Sequence, residues 1–176
     1  MKKLIALTLA LLSLVMMFAA CGGEEKKETP NYTAEQIFEE IKKAYGDNFL
    51  PDGDMMEEEY TVTYGLNMDD VAEIKAQMAM ISFNPDRIVV IKANEGKGEA
   101  VEKALTDARQ NLIENGMWYP ANLAKVNASQ VLRNGDYVVF MMLGANNEDI
   151  EASEEDAKKF AEEQMKIGVD AFNGLF

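Results

Sequence analysis

The chain has 176 residues, 31 acidic against 17 Lys and Arg, and a net charge of −14. Such an acidic balance argues against nucleic acid as a partner, because that binding requires Lys and Arg to neutralise phosphates, and against adsorption to anionic lipid. With no histidine and a single cysteine, Cys21, the chain has no His-based triad, no His-ligated metal, no thiolate cluster and no intrachain disulfide.

Residues 1–20 are expected to be a lipoprotein signal peptide. Lys2 and Lys3 precede an apolar run from Leu4 to Phe18, and Phe18-Ala19-Ala20-Cys21 follows. The run is short for a mature span, which needs about 20 apolar residues, and small residues precede the expected cut. Phe18 stands where Leu is usual. Cleavage would make Cys21 the N-terminus and the lipidation site, and a diacylglyceryl group with its palmitate-type chains holds a protein stably where one chain does not. The leader carries +2, so the remaining 156 residues carry −16. The expected partner is therefore the membrane, through lipid on Cys21, at the extracytoplasmic face. Residues 21–32 are read as the lipidated cysteine and a flexible polar tether (Gly22 to Asn31, GGEEKKETPN), and residues 33–176 as one α+β domain.

Thr33 to Tyr45 predicts a helix, opened by the capping box Thr33-x-x-Gln36 and closed at Gly46. Asp47 to Asp54 reads as a loop. Met55 to Leu66 combines acidic helix-start residues with a Tyr/Thr/Val run and is read as a short helix ending at Gly65. Met68 to Ala72 reads as a helical turn. The period then changes to two: Ile74, Ala76, Met78 and Met80 share one face of a strand continuing to Phe83. Asn84-Pro85-Asp86 turns the chain into a second strand, Arg87 to Ala93.

Glu95-Gly96-Lys97-Gly98 is too short for a phosphate loop and reads as a turn into an amphipathic helix from Glu99 to Glu114. Trp118-Tyr119-Pro120 crosses to a second hairpin, Val126 to Arg133 and Asp136 to Leu143, with Asn134-Gly135 between its strands. Tyr137 to Leu143 is apolar throughout, so both faces should be covered. Ser153-x-x-Asp156 caps a last helix reaching about Asn173. Two hairpins flanking a helix predict an antiparallel sheet of about four strands with helices packed on it.

The lipobox, the tether, Asp86 to Lys92, the helix after it, and Tyr119-Pro120 through Gly135-Asp136-Tyr137-Val138 occur in this order. Over roughly residues 33–145 the chain resembles small lipoproteins of Gram-positive anaerobes that carry a domain of unknown function. That resemblance implies a cell-surface location and carries no catalytic residues.

Several clusters have a chemical and a structural reading. Glu148, Asp149, Glu151, Glu154, Glu155 and Asp156, and separately Asp52, Asp54 and Glu57, could offer oxygens to calcium. Neither has EF-hand spacing, and helix N-termini favour acids in any case. Met78, Met80, Met141 and Met142 could offer thioethers to Cu(I), but core filling is the usual use of methionine. No metal or cofactor is expected. Trp118 and Tyr119 are the candidate binding residues, as loop aromatics able to stack on a sugar or anchor a partner; the competing reading has them plug the sheet edge. The expected function is non-catalytic binding of an envelope ligand or protein. An Asp/Glu-dependent envelope hydrolase, which needs two acids about 5–9.5 Å apart, and a structural accessory subunit are the alternatives.

Overall fold

The computed structural model describes residues 31–81, 83–147 and 153–176. Residues 1–20, read above as a signal peptide, Cys21, the segment 22–30 read as a tether, and Glu148, Asp149 and Glu151 lie outside the described residues. Asn31 and Tyr32 already contact the folded part of the chain. Asn31 accepts a hydrogen bond from Lys92 Nζ (2.8 Å), and the Tyr32 ring packs edge-on against Phe176.

Helix α1 (Ala34–Tyr45) has the expected capping box. Thr33 Oγ1 accepts from the Gln36 amide at 3.1 Å, and the Thr33 amide donates to Gln36 Oε1 at 2.9 Å. The Ala34 amide donates to Glu73 on the sheet, which ties the helix start to its packing surface. Gly46, at φ 53°, ends the helix in backbone space that favours glycine. Next come β1 (Gly53–Asp54), α2 (Glu57–Val62), β2 (Val71–Met78), β3 (Arg87–Ala93) and α3 (Gly98–Asn115). Helix α4 (Leu123–Ala128), β4 (Gln130–Asn134), β5 (Tyr137–Met142) and α5 (Glu154–Asn173) complete the described chain.

The sheet is antiparallel throughout and runs β1-β2-β3-β5-β4. The two expected hairpins, β2–β3 and β4–β5, join through β3 and β5, and the two-residue β1 adds the fifth strand. Residues 88–91 and 138–142 have no exposed surface. Pleating sorts them onto two faces. Ile88, Val90, Val139 and Met141 meet α1 and α5, while Val89, Ile91, Val138, Phe140 and Met142 meet α3. Helices thus cover both faces, which accounts for the unbroken apolar run in β5.

Three boundaries differ from the sequence reading. Strand β2 starts at Val71 and ends at Met78, short of Phe83, so Met80 lies beyond the strand. There the Met80 amide donates to Asp52 Oδ1 at 2.8 Å, and its side chain rests over Gly53. Residues 126–128, expected in a strand, belong to α4. The alternation Ala124-x-Val126-x-Ala128 imitates a strand, but Pro120 starts a helical turn and Ser129 stops it, with Ser129 Oγ donating to Val126 O at 2.6 Å. Finally, the β4–β5 turn is Gly135-Asp136, since Asn134 already pairs with Tyr137. Gly135 takes φ 58° at the first turn position, the requirement of a two-residue hairpin with glycine leading.

The Asp136 carboxylate accepts the Gly96 and Gly98 amides, each at 3.0 Å, and so binds the hairpin to the start of α3. A Cβ on Gly98 would overlap the Gly135 carbonyl oxygen. This close approach accounts for Gly98, whereas Gly96 is favoured by its positive φ of 74°.

Candidate functional site: an apolar tip above a buried ion pair

Two connections meet where β3 begins: the β2–β3 loop (79–86) and the α3–α4 loop (116–122). The first is shaped by its own polar groups. The Asn84 amide donates to Ile81 O, the Asp86 amide to Asn84 Oδ1, and Arg87 Nε to Pro85 O. This Asx turn is the one expected at Asn84-Pro85-Asp86. Asn122 Nδ2 donates to Phe83 O at 2.5 Å and joins the second loop to the first. With these backbone groups occupied, the side chains are left to meet solvent. Met80, Ile81 and Phe83 from one loop are exposed, as are Met117, Tyr119 and Leu123 around the other.

The two sequence-selected aromatics have different surroundings. Trp118 is half-buried, its indole N–H donates to Leu112 O at 2.7 Å, and the Arg87 guanidinium lies 5.2 Å from its ring centre. It seals the end of α3 and packs against the α3 side of the sheet. Tyr119 is 63% exposed. The plug reading therefore describes Trp118, and the free-aromatic reading describes Tyr119.

Beneath the tip lies a pair that sequence reasoning missed. Asp86 at the start of β3 and Lys125 of α4 are both buried, with Nζ 2.5 Å from Asp86 Oδ1. Lys125 Nζ also donates to Gly144 O and to Asn146 Oδ1, each at 2.7 Å. All three ammonium protons are thereby used. Burial holds the Asp86 carboxyl above the usual carboxylate range, outweighing the opposing pull of Lys125, the Gly144 amide and Arg87. Asp86 Oδ2 has no hydrogen-bond partner among the described residues. The pair joins β3, α4 and the segment after β5. With its ammonium saturated and out of solvent, it serves as a clamp under the tip. The available signal was a lone lysine, Lys125, inside the otherwise apolar stretch from Leu123 to Val126.

The acidic and methionine clusters have visible structural duties. Asp52 holds the Met80 amide. Asp54 accepts from Lys75 and Gln77, and the Gln77 and Lys75 bonds keep its carboxyl below the usual range. Glu154, Glu155 and Asp156 form the first turn of α5, capped by Ser153. Met141 and Met142 fill opposite sides of the core. Away from the tip, a cleft of about 280 Å³ opens between β4 and α5 over Ala128, Leu132, Met165 and Val169, flanked by Glu162 and Lys166.

The fold is a small α+β domain whose distinctive surface is a loop tip at one sheet end. The chain belongs to the family described as domain of unknown function (DUF4358), whose model matches residues 48–143. The match contains the whole sheet, both tip loops, Asp86 and Lys125; α1 and α5 lie outside it. No curated protein matches the chain, and no solved structure does.

Proposed function

We propose that the protein is a lipid-anchored, extracytoplasmic, non-catalytic module that makes its functional contact through the apolar tip. The observation that carries this reading is the tip itself. Residues 78–85 and 115–124 contain no charged residue in a chain that is 27% charged, and they present Met80, Ile81, Phe83 and Tyr119 to solvent. Solvated loops are normally polar, and a clustered apolar surface marks a site of contact. Because the exposed groups are apolar and several backbone groups of the loops are bonded internally, the tip favours a protein contact over a hydrogen-bonded sugar. That preference draws the binding reading and the accessory-subunit reading together.

The anchor rests on the sequence around Cys21, and the domain geometry is compatible with it. Asn31, where the described chain begins, sits against Lys92 and Tyr137 at the far end of β3 from the tip. Seven strand residues separate the two ends by about 23 Å, so a tether entering there leaves the tip free. No described helix is long and apolar enough to cross a membrane. Replacing Cys21 by Ala and fractionating cells tests the anchor. The expected result is wild type in the membrane fraction and the variant released from it. A Cys21→Ala variant that stays fully membrane-bound overturns this part of the proposal.

A further inference from the structure

Resting on the reading of the tip as an interaction surface, we infer that its partner is a second copy of this chain, joined tip to tip about a two-fold axis. The first argument is area. Met80, Ile81, Phe83, Met117, Tyr119 and Leu123 are between 45% and 100% exposed. At roughly 150–250 Å² for a large side chain they leave on the order of 700 Å² of mainly apolar surface. A monomer seldom exposes a contiguous apolar patch beyond a few hundred Å², whereas a standard stable interface takes about 800 Å² from each partner. The tip is therefore the size of one half of an interface.

The second argument is complementarity. The tip segments carry no charge of their own, though Asp52 is hydrogen-bonded to the Met80 amide beside them, and their exposed side chains ask for no dense set of hydrogen bonds. A matching surface must be uncharged and apolar, and a second copy supplies one by symmetry, as isologous interfaces do. The net charge, −14 for the full chain and −16 without residues 1–20, lies outside the tip segments and makes the two bodies repel, so salt should strengthen the pairing by screening. The third argument is reach. Asn31 lies at the opposite sheet end, so pairing leaves both chain entries at the outer ends. With the two-fold axis normal to a bilayer, both tethers approach it from the same side. Ten residues reach at most about 33–36 Å, more than the roughly 23 Å length of β3.

The test uses the full chain. Phe83→Cys, oxidised in intact cells with copper phenanthroline, should give a covalent species of two chains. Wild type, whose only cysteine is Cys21, and Asn134→Cys at the far sheet end should not. In sedimentation of detergent-extracted protein, wild type should run as a dimer whose fraction rises with salt. Ile81→Glu combined with Phe83→Glu should weaken the dimer by about tenfold or more, through burial of unpaired charge, with an unchanged far-UV spectrum. Monomer alone at every concentration, or equal cross-linking from Asn134→Cys, overturns the inference. So does a photoreactive side chain at Phe83 that joins only a different protein, or tip-dependent binding to neutral phosphatidylcholine vesicles by a monomer. Those last two results leave the tip standing as an interaction surface, whereas the absence of any tip contact sinks both readings.

Discussion

The Lys125–Asp86 pair allows the sharpest test of the packing beneath the tip. Lys125→Met keeps most of the aliphatic stem and removes the ammonium. Three acceptors then lose their donor: Asp86 Oδ1, Gly144 O and Asn146 Oδ1. Removing one partner of a buried pair costs about 3–5 kcal/mol, a large share of the roughly 5–15 kcal/mol that holds a domain folded. With a urea slope of about 2 kcal/mol per molar, the midpoint should fall by about 2 M. The pH dependence identifies the cause. Asp86 already lies above the usual carboxylate range because it is buried, and Lys125 is the strongest group pulling it down. Without Lys125 it rises further. Between the ordinary value near 3.9 and the raised one, the folded state holds more protons than the unfolded state. Its stability therefore falls as pH rises through that window and returns on acidification. The variant's deficit relative to wild type should be largest at high pH and shrink as pH falls through the raised Asp86 pKa. Asp86→Asn combined with Lys125→Met should recover most of the loss at neutral pH, since replacing both members of a buried pair is often close to neutral. A deficit under about 1 kcal/mol at neutral pH, or one that does not change with pH, would refute the reasoning.

Other substitutions separate further contributions. Tyr64 is buried, its hydroxyl lies near Arg87 without a hydrogen bond of good geometry among the described residues, and burial raises its pKa to about 12 against the opposing pull of Arg87. Tyr64→Phe should leave thermal stability unchanged or raise it by up to about 1 kcal/mol, and a clear loss would reveal a partner for the hydroxyl. Gly98→Ala should cost about 1–3 kcal/mol in urea unfolding, because the new methyl group meets the Gly135 carbonyl. Trp118→Ala should destabilise by about 2–4 kcal/mol, whereas Tyr119→Ala should change stability by less than about 0.5 kcal/mol. Equal losses at both positions would contradict their division into plug and exposed aromatic.

Local signals made much of the fold legible. The Thr33–Gln36 box, the Asn84 turn that leads into β3, the α3 helix and the Ser153 cap all rest on contacts within a few residues. The misread segments depend on distant partners. Helix α4 turns Lys125 towards Asp86, 39 positions earlier, and nothing within Val126 to Arg133 announces that contact. The end of β2 is set by Asp52, 28 positions before Met80. The two-residue β1 is too short to carry a period. The site was half legible for the same reason: Trp118-Tyr119-Pro120 stands out in sequence, whereas Met80, Ile81 and Phe83 look like the end of a buried strand. The Asn122 bond to Phe83 O joins the two loops into one surface.

The central claim is that the tip, and not the rest of the surface, makes the functional contact. The direct measurement places a photoreactive amino acid at Phe83, and in a parallel strain at Asn134, and irradiates living cells. The account predicts discrete adducts from Phe83 and none from Asn134. Equal labelling from both positions, or none from Phe83 in folded and correctly localised protein, would contradict it.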